Sequence, residues 1–150
     1  MPIIQHNLTI NRPISDVFSY VADFTKSPNW QKDVVKVWQT EEKARVGVMV
    51  TQSRRLRVVF YQLDLNADIV EYQLNKKIEL KGTTGFFPII LTYTFEPSGR
   101  STRITETMDI RMWGPHRLMS SFVSGAMKRR AERSWNNLKQ LLEAGGTQSS

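Results

Sequence analysis

Residues 102–112 read TRITETMDIRM, and Ile104, Glu106, Met108, Ile110 and Met112 fall on one parity of the run. Strict alternation over this length is the pattern of a strand with one face turned to a core. The preceding segment, PIILTYTFEP at 88–97, alternates in the same way, with Ile89, Leu91, Tyr93 and Phe95 on one side. Pro97-Ser98-Gly99 supplies the turn between the two. After them Gly114-Pro115 ends the pattern, a long helix is predicted to about Glu143, and AGGTQSS at 144–150 reads as a flexible tail.

Upstream, Ile4, His6, Leu8 and Ile10 alternate as a first strand, which Pro13 stops. Pro13 suits the first turn of a helix, with Ser15 and Asp16 near its unpaired N–H groups, and Val17, Tyr20, Val21 and Phe24 follow at helical spacing. A second short helix is expected from Asp23, ended or kinked around Pro28, with Trp30 just beyond it. From about Asp33 onward nearly everything reads as strand. VVKVW and VGVMVTQS come first, then Arg57 to Tyr72, whose inward parity is ambiguous near Gln62 to Leu65. IELKG follows, then an apolar loop at Gly85-Phe86-Phe87. The order is strand, two short helices, about six strands and one long helix. An antiparallel sheet of about seven consecutive strands must cover one face, and the C-terminal helix is the long element available for it. A strongly curved sheet wrapped on one helix leaves space for a small molecule. Residues 1–143 are thus expected to form a single ligand-binding domain.

Composition narrows the function. The 150 residues are 40% hydrophobic and 23% charged, a globular balance. The absence of cysteine removes disulfides, thiolate nucleophiles and Cys-ligated zinc. The start, MPIIQHNLTI, does not have the build of a signal peptide, and no run approaches the roughly 18 apolar residues of a membrane span, so a cytoplasmic protein is expected. The net charge of +7 is spread over short groups: Lys43 with Arg45; Arg54, Arg55 and Arg57; Lys76 and Lys77; Lys128 to Arg130. Two readings follow, a solvated basic surface or a face that docks on anionic membrane; nucleic acid is disfavoured, since no basic and aromatic residues interleave on an RNA-binding sheet. There is no GxGxxG, P-loop or nucleophile elbow, and His6 and His116 stand in no metal-ligand spacing. No cofactor and no metal are expected, and oligomeric state is not legible.

The chain resembles the helix-grip superfamily (SRPBCC), which includes START lipid-transfer domains and pollen-allergen-like proteins, and in particular its polyketide cyclase/dehydrase-like branch. Arg12-Pro13-Ile14-Ser15-Asp16-Val17-Phe18, Ser27-Pro28-Asn29-Trp30, Val46-Gly47, Glu71-Tyr72 with Asn75-Lys76-Lys77-Ile78, and Ser101-Thr102-Arg103-Ile104-Thr105 carry the resemblance; Ser101 stands where relatives commonly have Gly. These motifs punctuate the fold and carry no chemistry. The resemblance implies an α+β helix-grip fold, an incomplete antiparallel barrel around the C-terminal helix, with a hydrophobic cavity between them. It implies binding of lipids, sterols, hormones or polyketides, and in some members cyclisation, dehydration or isomerisation.

On the long helix, at about 100° per residue, Met119, Phe122, Val123, Ala126 and Met127 share one side, and Ala131, Trp135, Leu138 and Leu142 a face rotated by roughly a quarter turn or more. The first half is predicted to wall or gate a pocket, and the second half to anchor the helix. Arg130 projects near the early apolar face, to snorkel or to enter the cavity. His6 and Glu106 each sit on the apolar parity of a strand. With the first and last strands adjacent they are candidates for proton transfer on a ligand, or they satisfy each other or water in the core. The remaining candidates for ligand contact are Trp30, Arg57 (an anionic head group), Phe86 and Phe87 (an entrance lip), Tyr93 (an orienting hydroxyl), Met108, Met119, Phe122, Val123 and Met127. The leading expectation is a carrier or sensor for a hydrophobic or amphipathic lipid, polyketide or isoprenoid-like molecule. A cyclase, dehydratase or isomerase working in the same cavity, and a membrane-docking lipid-transfer protein, are the alternatives.

Overall fold

The structure, a computed structural model, describes residues 3–32, 34–41, 43–56, 61–84, 87–111 and 120–145. Strand β1 spans Ile3–Ile10 and is followed by helix α1 (Ile14–Ala22), a 3₁₀ turn (Phe24–Lys26) and helix α2 (Ser27–Trp30). Strands β2 (Val34–Gln39), β3 (Met49–Leu56), β4 (Tyr61–Gln73), β5 (Lys77–Thr84), β6 (Phe87–Ser98) and β7 (Ser101–Ile110) come next, and helix α3 covers Ser120–Gly145. The strands form one antiparallel sheet in the order β1-β7-β6-β5-β4-β3-β2, so β2 to β7 pair consecutively, β1 closes onto β7, and β1 and β2 are the two edges. This curled half-barrel with a long C-terminal helix is the α+β helix-grip arrangement that the resemblance implies.

Alternation decides the inner face. Ile104, Met108 and Ile110 of β7, Ile89, Leu91, Tyr93 and Phe95 of β6, and Ile78 and Leu80 of β5 are all buried, as are Leu65, Ala67 and Ile69 of β4. Phe18 of α1 fills one end of the trough, edge-on to Phe95 at 5.0 Å and to Tyr72 at 5.5 Å between ring centroids. On α3 the anchoring residues are those expected: Ala131, Trp135, Leu138 and Leu142 are buried. A fully buried leucine-sized side chain contributes roughly 1.5–3 kcal/mol relative to leaving it in water.

Polar contacts hold the C-terminal half of α3 to the start of the chain. Lys139 donates to the Thr9 carbonyl at 2.7 Å, on the edge strand, and also bonds Glu143 at 2.8 Å. The Asn11 amide donates to Glu143 at 2.9 Å, and Arg12 donates to the Leu142 carbonyl at 2.9 Å and to Asp16 at 2.7 Å. A cation near the last carbonyls of a helix also complements its dipole.

Several boundaries differ from the expectation. Pro13 is the N-terminal cap residue of α1 with no side-chain cap, and Asp16 pairs with Arg12 instead. Asp23 caps only the 3₁₀ turn, accepting from the Thr25 amide at 3.3 Å. Pro28 opens α2 rather than ending it, because its missing N–H costs nothing in a first turn, and Trp30 is the last residue of that helix instead of lying beyond it. The irregular register in β4 falls between Ile69 and Glu71, not near Gln62 to Leu65. Phe87 begins β6 instead of ending a loop, and α3 continues to Gly145, past Glu143.

Gly82 of β5 pairs with Ala67 of β4. A Cβ at Gly82 would press on the Asn66 carbonyl oxygen and stand 2.6 Å from Ala67 Cα. The small pair lets two adjacent strands approach closely where the sheet curls. Gly82→Ala is therefore expected to cost about 1–3 kcal/mol, read as a lower urea midpoint with an unchanged slope; an unaltered midpoint would show that the strands separate freely there.

Candidate functional site

The register puts His6, Glu106 and Tyr93 side by side across β1, β7 and β6. Directly opposed residues of an antiparallel pair share a face, and this rung faces α3. Glu106 is 9% exposed and Tyr93 4%. Trp135 of α3 donates its indole N–H to Glu106 Oε1 at 3.0 Å, and a second hydrogen bond joins the Tyr93 hydroxyl to the same carboxyl. Burial pushes the carboxyl above its ordinary value near 4.5, while the bonds from Trp135 and Tyr93 pull it back. Burial, and then the neighbouring Glu106, hold the Tyr93 phenol well above its usual range.

Around this triad lies a cavity of about 10 Å³ between α2, α3 and strands β6 and β7, the space of roughly one water molecule. Its apolar walls are Trp30, Leu91, Met108, Ala131 and Trp135, and its polar groups Gln31, Tyr93, Glu106, Arg130 and Ser134. The Trp30 and Trp135 rings lie 4.8 Å apart at 43°. Asn137 of α3 donates to the Trp30 carbonyl at 3.3 Å, and a buried bond of 3.1 Å from Gln52 to Ser27 holds α2 on β3.

Of the candidate residues, the structure brings Trp30, Tyr93, Glu106 and Met108 together on this cavity, with Arg130. His6 stands beside Glu106 in register but is not among the lining residues. Its Nε2 is buried without a hydrogen-bond partner, and the charges that act on it are those of Glu132 and Lys128 on α3. Phe87 is half-buried at the start of β6, packed against the core. Arg57, Phe86 and Met119 lie outside the described residues, as do the side chains of Phe122, Val123 and Met127 on α3. Sequence reasoning passes over Gln31 and Ser134, and takes Ala131 and Trp135 for packing alone. The cavity wall thus extends a full turn further along α3 than the division into wall and anchor implies. The available signal is Ala131-Ser134-Trp135, an i, i+3, i+4 set that places one hydroxyl within an apolar stripe. Nothing in the sequence marks Gln31.

The sequence matches the family described as polyketide cyclase / dehydrase and lipid transport over residues 1–143. Among solved structures, a protein of Thermus thermophilus superposes with a TM-score of 0.81 at 19% identity, covering 99% of this chain and 100% of that one. A START superfamily protein of Mycobacterium smegmatis gives a TM-score of 0.68 at 13% identity, with 99% of each chain covered. DynU16, from the dynemicin biosynthetic locus, gives 0.72 at 10% identity over 97% of this chain and 48% of its own. At these identities the structures share the fold. Comparison with curated proteins gives no match.

The raised carboxyl sets a pH dependence. Glu106 favours its protonated form in the fold, so its contribution is fully present below about pH 4.5 and is lost as pH rises through the higher folded-state value. His6, lowered by burial, acts in the opposite sense, stabilising above its ordinary 6.5 and losing that contribution on acidification. Glu106→Gln keeps an acceptor for Trp135 and removes the titration. The stability of this variant relative to wild type is expected to rise from pH 4.5 to the higher folded-state value of the carboxyl and to level off above it in urea melts. A pH-independent difference would mean that the carboxyl is solvated.

Proposed function

The chain belongs to the polyketide cyclase/dehydrase and lipid-transport family, and on that premise we propose that it binds a hydrophobic or amphipathic small molecule between its sheet and α3, as a carrier or sensor. The observation that carries this reading is the cavity itself: two indoles, Leu91 and Met108 form apolar walls around a buried cluster of hydrogen-bonding groups. That division suits a ligand with a long apolar body and one polar end. Pockets for such molecules occupy about 300–1,000 Å³, so this cavity must widen. Met108, whose unbranched side chain repacks readily, lines the wall that must give.

Native mass spectrometry of the protein purified from its source, followed by an organic extract of the denatured sample, is expected to show one lipophile per chain. Ala131→Leu puts three further carbons into the cavity at a cost of about 1–3 kcal/mol, and is expected to abolish that adduct while leaving the fold intact by circular dichroism. An undiminished adduct in the variant would locate binding elsewhere.

A second reading is favoured by one observation, the buried carboxyl of Glu106 with its elevated proton affinity. A carboxylic acid in an apolar cavity can transfer a proton to a bound ketone or hydroxyl, as cyclisation, dehydration or isomerisation requires. With the extracted lipophile as substrate, Glu106→Gln is expected to abolish turnover with affinity within a few-fold of wild type. Equal losses of both would assign Glu106 to binding alone.

A further inference from the structure

The hydrogen-bonding capacity of the Trp135–Glu106–Tyr93 triad deepens the ligand-binding reading, on which it rests. Trp135 carries one donor and no acceptor; Tyr93 carries one donor; a carboxylate carries none, and a carboxylic acid one. Two hydrogen bonds join the three groups, one from Trp135 and one shared with Tyr93. With Glu106 ionised, both donors are consumed and the triad has nothing left to give. With Glu106 protonated there are three donors for the same two bonds, and one hydrogen is left over, on either the carboxyl or the phenol.

Glu106 and Tyr93 both line the cavity, so that spare hydrogen can point into it, among the apolar walls of Leu91, Met108 and the two indoles and the polar groups of Gln31, Arg130 and Ser134. The other acceptor nearby is the unpartnered Nε2 of His6, opposite Glu106 on β1. A donor left unpaired in such surroundings costs about 1–3 kcal/mol, and a cavity the size of one water accommodates a single oxygen atom of a ligand.

We propose that the cavity recognises the neutral carbonyl oxygen of an otherwise apolar ligand, which accepts the surplus hydrogen of the Glu106–Tyr93–Trp135 triad. A ketone or ester presents such an oxygen without a charge to desolvate. An amine does not: it brings donors to a site already in donor surplus, and pairs only with the ionised carboxylate. The elevated proton affinity of Glu106 extends the pH range over which the surplus exists. The other titratable groups nearby are Tyr93 and Arg130 on the cavity and His6 beside Glu106 in register, with Lys128 and Glu132 acting on His6 from α3.

The test uses three probes of matched length, methyl octyl ketone, decane and decylamine, titrated against the intrinsic fluorescence of the four tryptophans, of which Trp30 and Trp135 line the cavity. In the wild type at about pH 4, below the ordinary carboxyl value, the ketone is expected to bind about tenfold more tightly than decane, the worth of one good hydrogen bond, and its advantage should shrink as pH rises and Glu106 ionises. Glu106→Gln carries permanent N–H donors, so it is expected to keep the ketone preference at every pH. Tyr93→Phe removes one donor and one internal bond together, leaving one surplus hydrogen while Glu106 is protonated; its preference at low pH is expected to persist and to vanish at high pH. A ketone bound no better than decane, or decylamine bound best at low pH, overturns the inference while leaving the cavity as a binding site. Loss of the ketone preference in a folded Glu106→Gln that still binds decane does the same. Failure of all three probes to bind overturns both the inference and the cavity reading.

Discussion

The bond from the Trp135 indole to Glu106 joins the two layers of this protein at their centre. It is a polar contact between a buried helix residue and a buried strand residue, where an unmade hydrogen bond is costly. Much of the surrounding packing follows from it. Trp135 must lie flat enough over the sheet to reach β7, which brings its ring to 6.0 Å from Tyr93 and 4.8 Å from Trp30. Trp30 in turn is fixed by Asn137 and by the seating of α2 on β3. One carboxyl group thus ties the middle of α3 to β7 and helps to shape the cavity between them. A hydrophobic residue at 106 would pack as well, but it would give the indole N–H no partner and the cavity no polar group from β7.

Two kinds of constraint hold α3, and they act at different places along it. Toward its C-terminus, Leu138 and Leu142 are buried, and Lys139 and Glu143 reach the backbone of Thr9 and Asn11. One to three turns earlier, around Arg130, Ala131 and Ser134, the helix faces the cavity, with less filled volume behind it. The stretch that fronts the cavity is itself pinned at Trp135 by its bond to Glu106, so a ligand that enters must part the helix from the sheet beside that bond while the C-terminal anchor stays in place.

The sheet is legible from alternation alone, since every inward position of β6 and β7 follows the period of two, and the last strand's neighbours follow from the consecutive order. The juxtaposition of His6 with Glu106 is legible for the same reason: once β1 lies against β7, the two apolar parities must face the same way. The bonding is not. Nothing in the two strands says that Glu106 finds its donors on α3 and β6 and not on β1, because that depends on where a helix more than ten residues further along the chain comes to rest. Trp135 reads as packing because an indole satisfies an apolar stripe equally well whether or not its N–H is used. Pro28 shows the local version of this ambiguity. A proline marks a helix boundary, and only the fold shows that it is the opening one.

The pairing of β1 with β7 has a consequence for how the chain is made. Every other neighbour in the sheet is contiguous in sequence, so β2 through β7 can zip up as they leave the ribosome. Strand β1 must wait, with Ile4, Leu8 and Ile10 uncovered, until a partner about a hundred residues later has been synthesised. Contacts of such separation are slow to close, and an unpaired apolar strand in the interval is an invitation to association with other chains. Helix α3, synthesised after all seven strands, both roofs the trough and supplies the lysine that occupies the Thr9 carbonyl on the open edge of β1. The element that forms the cavity is also the one that ends the chain's exposure to aggregation during biosynthesis.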